Sequence, residues 1–331
     1  DGKIYAEKVR MKFSVVIIGL GNIGMLYDIN LPKKKNILTH CNAFAQHPDF
    51  ELIGGVETNS ELRSSFEAEY QLPSSADLES LIFENNFSPD VFVIATPTES
   101  HLSVINQIIV ASNPIGILCE KPLAHHLEEA IEINRVCKDQ NIKLFINFMR
   151  RADPAILNLK HRIHTEQIKA PYKLVAWYSK GLIHNGSHFI DLFNFLFGVP
   201  TSFKVVSPGL KTGKDAEPDF LLEFNSATIF FTAVNADHFS CHKFELAAKN
   251  GYLTYQGHGD IIWKAAEPEN ASYGNIPLSD QGEIIEGDMK KYQYNVSTML
   301  SNALNNGNHE LCDGETGLKN ITMLHEIISS T

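Results

Sequence analysis

The sequence predicts a two-domain α/β protein: a doubly wound parallel sheet first, then an α+β domain built on an antiparallel or mixed sheet. Three observations carry this. Up to about residue 150, short β-branched runs alternate with helix-like stretches. A glycine-rich hexapeptide follows the first of those runs directly. Beyond residue 150, strand-like runs succeed one another with few helices between them.

In chain order, the buried parallel strands are expected at Phe13–Ile18, Glu51–Val56, Asp90–Ala95, Ile115–Cys119 and Lys143–Ile146. Helices are expected at Ser60–Tyr70, Ala76–Asn85, Glu99–Ala111 and Leu127–Asp139. Strand, helix, strand repeated this way means βαβ units with right-handed crossovers and a sheet covered on both faces. Asp153-Pro154 reads as a helix start, Asp as the N-cap and Pro at the first helical position. The later strands are Lys173–Ser179, Phe220–Phe224, Ala227–Val234, Lys243–Ala248 and Tyr252–Tyr255, and two helices close the chain at Met289–Asn305 and Gly314–Ser329. The expected division is 11–147 for the nucleotide-binding domain and 148–331 for the second. Residues 1–10 are polar, precede Met11, and read as a leader outside the fold.

Composition excludes several classes. With 331 residues, 44% hydrophobic and 20% charged, the chain is long and apolar enough for sizeable cores. No apolar run reaches the ~18 residues of a membrane span. A net charge of −11 disfavours nucleic acid as a partner, and Lys33-Lys34-Lys35 reads as a solvated loop. Five widely spaced cysteines without a Cys-x-x-Cys suggest neither a disulfide framework nor a zinc knuckle, and point to a reducing, cytoplasmic setting.

Gly19-Leu20-Gly21-Asn22-Ile23-Gly24 is expected to open a helix whose N-terminus receives a pyrophosphate. The glycines serve a tight turn, close backbone approach to the phosphates, and helix–strand packing. Glu57 ends the second strand, where a carboxylate accepts from the ribose hydroxyls. It lies 33 residues after Gly24, beyond the usual ~20, and the polar insertion Asn30–Thr39 accounts for the excess. An acid there repels a 2′-phosphate, which favours NAD over NADP. Two other patterns carry nothing: Gly209–Lys214 is one residue short of a phosphate-binding loop, and no Tyr has a Lys four residues later.

Ala95–His101 and Cys119–Pro122 close the next two strands of the alternation, and ligands bind outside the carboxyl ends of such strands. Thr96, Pro97, His101, Glu120 and Lys121 therefore join the glycine loop and Glu57 as expected cofactor-facing residues.

These segments, with Glu120-Lys121-Pro122 and the later Gly186-Ser187-His188-Phe189-Ile190-Asp191, stand in the order and spacing of the Gfo/Idh/MocA oxidoreductases. The chain resembles that family over nearly all of residues 12–331, and Asn147–Arg151 with Asp153-Pro154 resembles its domain junction. The resemblance implies a Rossmann domain, an open, mostly antiparallel second sheet through which members form dimers or tetramers, and hydride transfer at a secondary alcohol of a sugar, nucleotide sugar or cyclitol. It places Lys121 and His188 in the catalytic pair, with Arg150 and His184 beside them toward substrate. Chemically, a histidine suits the base that removes the carbinol proton, and a lysine on the same oxygen stabilises its developing charge.

One departure stands out. Four residues before His188, where the family usually carries an acid, this chain has His184. Asp191 is one candidate substitute for that acid. A metal held by His184 and His188 is the other way to read the pair, but catalytic zinc needs a third protein ligand and the sequence offers none. The departure also keeps open a non-catalytic reading, a dinucleotide-binding sensor or partner subunit on the same fold.

Overall fold

The computed structural model describes residues 12–212, 215–257 and 259–331. The leader reading of residues 1–10, and Gly213 and Lys214 of the decoy loop, lie outside the described residues.

The strands are β1 (Phe13–Ile18), β2 (Phe50–Val56), β3 (Ser74–Ser75), β4 (Val91–Ile94), β5 (Gly116–Cys119), β6 (Lys143–Ile146), β7 (Tyr172–Tyr178), β8 (Ser202–Ser207), β9 (Lys211–Thr212), β10 (Asp215–Ala216), β11 (Asp219–Glu223), β12 (Ala227–Ala233), β13 (Lys243–Ala248), β14 (Gly251–Tyr255), β15 (Ile261–Ala265), β16 (Glu283–Ile285) and β17 (Cys312–Asp313). The α-helices are α1 (His40–Gln46), α2 (Ser60–Tyr70), α3 (Leu78–Asn85), α4 (His101–Ala111), α5 (Leu127–Asp139), α6 (Pro154–His164), α7 (Ser187–Phe197), α8 (Tyr292–Leu304) and α9 (Gly314–Ser329).

The first sheet has the order β17-β6-β5-β4-β1-β2-β3. Strands β1 to β6 are all parallel, in the doubly wound order 3-2-1-4-5-6. Val15–Ile18 and Val91–Ile94 are fully buried, as expected for strands covered on both faces. The order reverses between β1 and β4, so the crevice at the carboxyl ends of these strands is where a ligand is expected to bind.

The edge of this sheet departs from a single division at residue 147. Strand β17 pairs antiparallel with β6. Val296, Leu300, Ala303 and Leu304 of α8 bury themselves in the same core as Val15, Ile17 and Phe44. The last forty residues thus complete the first sheet's surroundings.

The second sheet, β16-β15-β14-β13-β7-β12-β11-β8, is antiparallel except for the parallel pair β7 and β12. Its inner face, with Leu174, Phe220, Ile229, Phe244 and Leu253, packs on α6, α7 and α9 through Leu159, Phe193 and Leu324. Helix α6 starts as its sequence dictates: Asp153 caps it by accepting from the Ala155 N–H at 2.9 Å. On the outer face Val175, Trp177, Leu221, Phe230 and Tyr252 are half-buried.

Candidate active site

The glycine loop has the expected shape but not the expected continuation. Gly19 adopts φ +96°, and a Cβ there would stand 2.7 Å from the Ala95 backbone. A Cβ on Gly24 would overlap the Gly19 carbonyl. At Gly21 nothing lies within 4 Å of where a Cβ would be. Nothing within the chain thus crowds Gly21, and its lack of a side chain leaves room for an external group, which fits a pyrophosphate.

No α-helix opens at this motif. Residues 21–28 form irregular turns and a short 3-10 segment, Leu26–Asp28, and the α-helix begins only at His40. Even so, the His40 N–H donates to Ile23 O at 3.1 Å and the Cys41 N–H to Gly24 O at 2.9 Å. The polar insertion is spliced between the glycine-loop turns and α1, which starts on the carbonyls of those turns. Asp28, fully buried, holds the splice: its carboxylate accepts from Leu38 N, Thr39 N, Thr39 Oγ1 and Asn42 Nδ2.

Glu57 is half-buried beside this loop. One carboxylate oxygen accepts from Leu20 N at 2.9 Å and the other from Asn59 N at 2.9 Å. The acid therefore ties the end of β2 to the glycine loop and keeps lone pairs for ribose hydroxyls.

The other cofactor-facing candidates divide. Thr96 and Pro97 follow the carboxyl end of β4. The His101 ring is buried, with Nδ1 3.0 Å from Leu123 O and Nε2 3.1 Å from Thr96 O. Both nitrogens face main-chain carbonyls, so His101 fastens the Thr96 loop to the segment after Pro122 and has no nitrogen left for a ligand. Glu120 is also committed: Oε1 is 2.8 Å from His40 Nε2 and accepts from Asn147 Nδ2 at 2.7 Å, and Asn147 in turn donates to Gln293 Oε1. Burial alone would raise the Glu120 pKa, but His40, Asn147 and Lys121 hold it below the ordinary carboxylate value.

Lys121, His184, His188 and Arg150 come together between the domains. Lys121 Nζ donates to the His184 carbonyl at 2.7 Å. That carbonyl belongs to a π-type turn, Leu182–Gly186, which runs straight into α7 and so into His188. Asp215 shapes the turn by accepting from the Ile183 and His184 N–H groups, each at 3.0 Å. The His184 side chain itself is exposed. His188 is 7% exposed, edge-on to Phe148 at 5.9 Å and to His242 at 6.0 Å. Burial, then Lys121, Arg150, His242 and His184, push the His188 pKa well below the ordinary histidine value, so the ring is neutral. Burial lowers the Lys121 pKa as well.

Asp191 does not replace the missing acid. Its carboxylate takes a two-point contact from Arg151, at 2.8 and 2.7 Å, and a third hydrogen bond from Asn320 Nδ2 at 2.7 Å. The pair is nearly fully buried and locks α7 against the domain junction. Among the described residues, no three His, Cys, Asp or Glu side chains are grouped so as to hold a metal ion.

Sequence reasoning missed His242, which stacks on Phe189 at 3.9 Å, and Tyr255, whose hydroxyl accepts from Arg150 Nε at 3.2 Å. His242 immediately precedes β13 and Tyr255 ends β14, so strand pairing in the second sheet brings them beside α7, and no local motif marks them.

A glycine loop locked to an acid at a switch point, with a lysine after β5 of the same sheet held on the turn that leads into His188 of α7, defines a dinucleotide-binding protein of the Rossmann class. Residues 13–148 match the Gfo/Idh/MocA model, described as an oxidoreductase family with an NAD-binding Rossmann fold. The chain is 34% identical over 114 residues to scyllo-inositol 2-dehydrogenase (NAD(+)) of Bacillus subtilis, a match spanning 31% of each protein. The chain thus spans about a third of that relative's length. Among solved structures, one from Desulfitobacterium hafniense, described as that of an NADPH-dependent oxidoreductase, has a TM-score of 0.76 at 19% identity and covers 96% of this chain and 95% of its own. The WlbA dehydrogenase of Bordetella pertussis, in complex with NADH and UDP-GlcNAcA, has a TM-score of 0.73 at 19% identity and covers 97% and 95%. These likenesses establish the two-domain fold.

Proposed function

We propose that the protein is an NAD-dependent oxidoreductase moving a hydride between the nicotinamide and a secondary alcohol, or its ketone, of a sugar, nucleotide sugar or cyclitol. The observation that carries this is Lys121 held on the carbonyl one turn before His188, at the carboxyl end of β5. Gly19, Gly21, Asn22, Ile23, Gly24, Glu57, Thr96 and Pro97 hold the dinucleotide, with Glu120 and His101 positioning Lys121 and the Thr96 loop. Bound there, the dinucleotide supplies the hydride acceptor or donor.

Neutral His188 takes the carbinol proton, and Lys121 donates a hydrogen bond to the same oxygen and stabilises its charge as the proton leaves. In the reverse direction the same pair returns the proton to the ketone oxygen. Arg150 and His184 line the substrate side. Glu57 sets the preference for NAD(H) over NADP(H). The half-buried apolar side chains on the outer face of the second sheet support a homodimer or homotetramer joined there. The cysteine usage supports a cytoplasmic setting. No helix among the described residues is long and apolar enough to cross a membrane.

The test is NADH formation from NAD⁺ across a panel of cyclitols, aldoses, nucleotide sugars and their acids. The second reading, a dinucleotide-binding sensor or partner subunit, is favoured by one observation: among the described residues, His188 Nδ1 has no hydrogen-bond partner, carboxylate or other. NAD binding without turnover on any member of the panel selects it.

A further inference from the structure

Three buried side-chain nitrogens in the cluster have no hydrogen-bond partner: Arg150 Nη1, His188 Nδ1 and His242 Nε2. They belong to one neighbourhood. The His188 and His242 rings are 6.0 Å apart, and Arg150 and Lys121 are close enough to depress the pKa of both. Arg150 is 8% exposed and anchored by its Nε on Tyr255, itself buried, which leaves the far end of the guanidinium uncommitted.

Its neighbours Lys121, His188 and His242 bring no negative charge. Each nearby carboxylate is already engaged: Glu120 with His40 and Asn147, Asp191 with Arg151 and Asn320, Asp215 with the N–H groups of Ile183, His184 and Ala216, and Asp153 with those of Ala155 and Asp288. A guanidinium cannot shed its proton in a protein, so a buried one without a counter-charge is costly. His184, standing where an acid is usual in the resembling family, adds no negative charge to the cluster.

Resting on the hydride-transfer reading, we propose that the substrate is a sugar acid, a polyhydroxylated secondary alcohol bearing a carboxylate, and that the carboxylate binds Arg150 with His242 beside it. A carboxylate is planar and matches the guanidinium fork with two parallel hydrogen bonds. It brings the missing negative charge in with the substrate. His188 then becomes a better base only when substrate is bound, because a nearby anion raises its proton affinity.

The test is calorimetric titration of the NAD⁺-saturated protein with matched pairs differing only in the carboxylate: hexuronate against hexose, hexonate against hexitol, and each uronate against its methyl ester. The hexose 6-phosphate forms a further arm. Hydrogen bonds to a charged group support an expected advantage of roughly ten- to a hundredfold for the acid in at least one pair. Arg150→Gln should abolish that advantage by weakening the acid far more than the neutral member, with NAD⁺ affinity unchanged, and Arg150→Lys should restore part of it. Because Arg150 is buried, His242→Phe, which keeps the stack on Phe189, provides a second variant with the same expected loss. Equal affinity within every pair, including binding of neither member, overturns the proposal and leaves the three nitrogens to ordered water. Tighter binding of the phosphate than of any carboxylate overturns it as well. Failure of hydride transfer on every compound, with the acid preference intact, would instead refute the catalytic reading alone.

Discussion

Asp191→Asn is expected to destabilise the protein strongly while leaving the position of the acid limb of its pH–rate profile in place. The substitution keeps the shape of the side chain but removes the charge that faces Arg151. In the wild type the two groups make a two-point contact at 2.8 and 2.7 Å, with side chains 8% and 2% exposed. Breaking a buried pair by neutralising one partner costs about 3–5 kcal/mol, since the other charge stays buried without compensation. For a domain of this size that corresponds to a fall in Tm of roughly 6–20 °C. Thermal unfolding monitored by circular dichroism measures it. Replacing both partners with apolar residues, Arg151→Met with Asp191→Leu, should recover much of the loss. Recovery stays incomplete because Asn320 loses an acceptor. The catalytic pH profile is the second readout, because the Asp191 carboxylate is engaged by Arg151, Asn320 and the Cys312 thiol rather than by His188. A Tm within about 1 °C of wild type, or an unchanged Tm with a displaced pH limb, refutes the reasoning and makes Asp191 the group that orients His188.

Further outcomes are expected. Lys121→Ala and His188→Ala should each lower kcat by roughly 10²–10⁴ with NAD affinity nearly unchanged, and the double variant should lose little more, because the two act on one proton transfer; steady-state kinetics with calorimetric NAD titration checks this, and full activity in both single variants rejects the pair. Glu57→Gln should narrow the preference for NAD(H) over NADP(H), seen by titration with both, and tighter NADP(H) binding by the wild type would remove Glu57 from the ribose site. His188, His242 and His101 all have depressed pKa values, with burial the largest cause, so the unfolded chain binds more protons than the folded one below the ordinary histidine pKa. Stability should therefore fall as pH drops from about 6.5 toward the depressed folded values, and His242→Phe should flatten that slope in denaturant titrations at several pH values. His184→Asp should raise the His188 pKa and shift the acid limb upward, whereas a rise in KM with lost activity would place His184 on the substrate.

Much of this was legible in the residues. Five of the six parallel strands announce themselves as short, mainly apolar runs, β3 (Ser74–Ser75) being the exception, and Ser60–Tyr70, Leu127–Asp139 and Gly314–Ser329 coincide with their observed helices. What escaped did so for physical reasons. Helix α1 starts at Thr39, its N-cap, which reads as part of a polar insertion because nothing local shows that the chain has returned to Gly24. Strand β8 is an edge strand whose residues alternate only between exposed and half-exposed, and β17 is two residues long. In the site, the lysine and histidine sit in motifs that survive reading one by one. His242 and Tyr255 reach it only because β13 and β14 pair with Phe244 opposite Tyr255, a register that no single strand encodes.

The way the end of the chain closes the first sheet bears on how the protein is made. A ribosome releases residues 12–147 long before Cys312, yet β6 has no partner on its outer edge until Cys312 and Asp313 arrive. Val15 and Ile17 likewise wait for Val296 and Leu300. During synthesis the nascent dinucleotide domain is a half-covered sheet with an open edge, the condition in which strands pair with strangers. Completion of the first sheet thus waits for α8 and β17, and ribosome-bound chains stalled before residue 290 should remain protease-sensitive across β1 to β6, while chains in which α8 and β17 have left the ribosome become resistant.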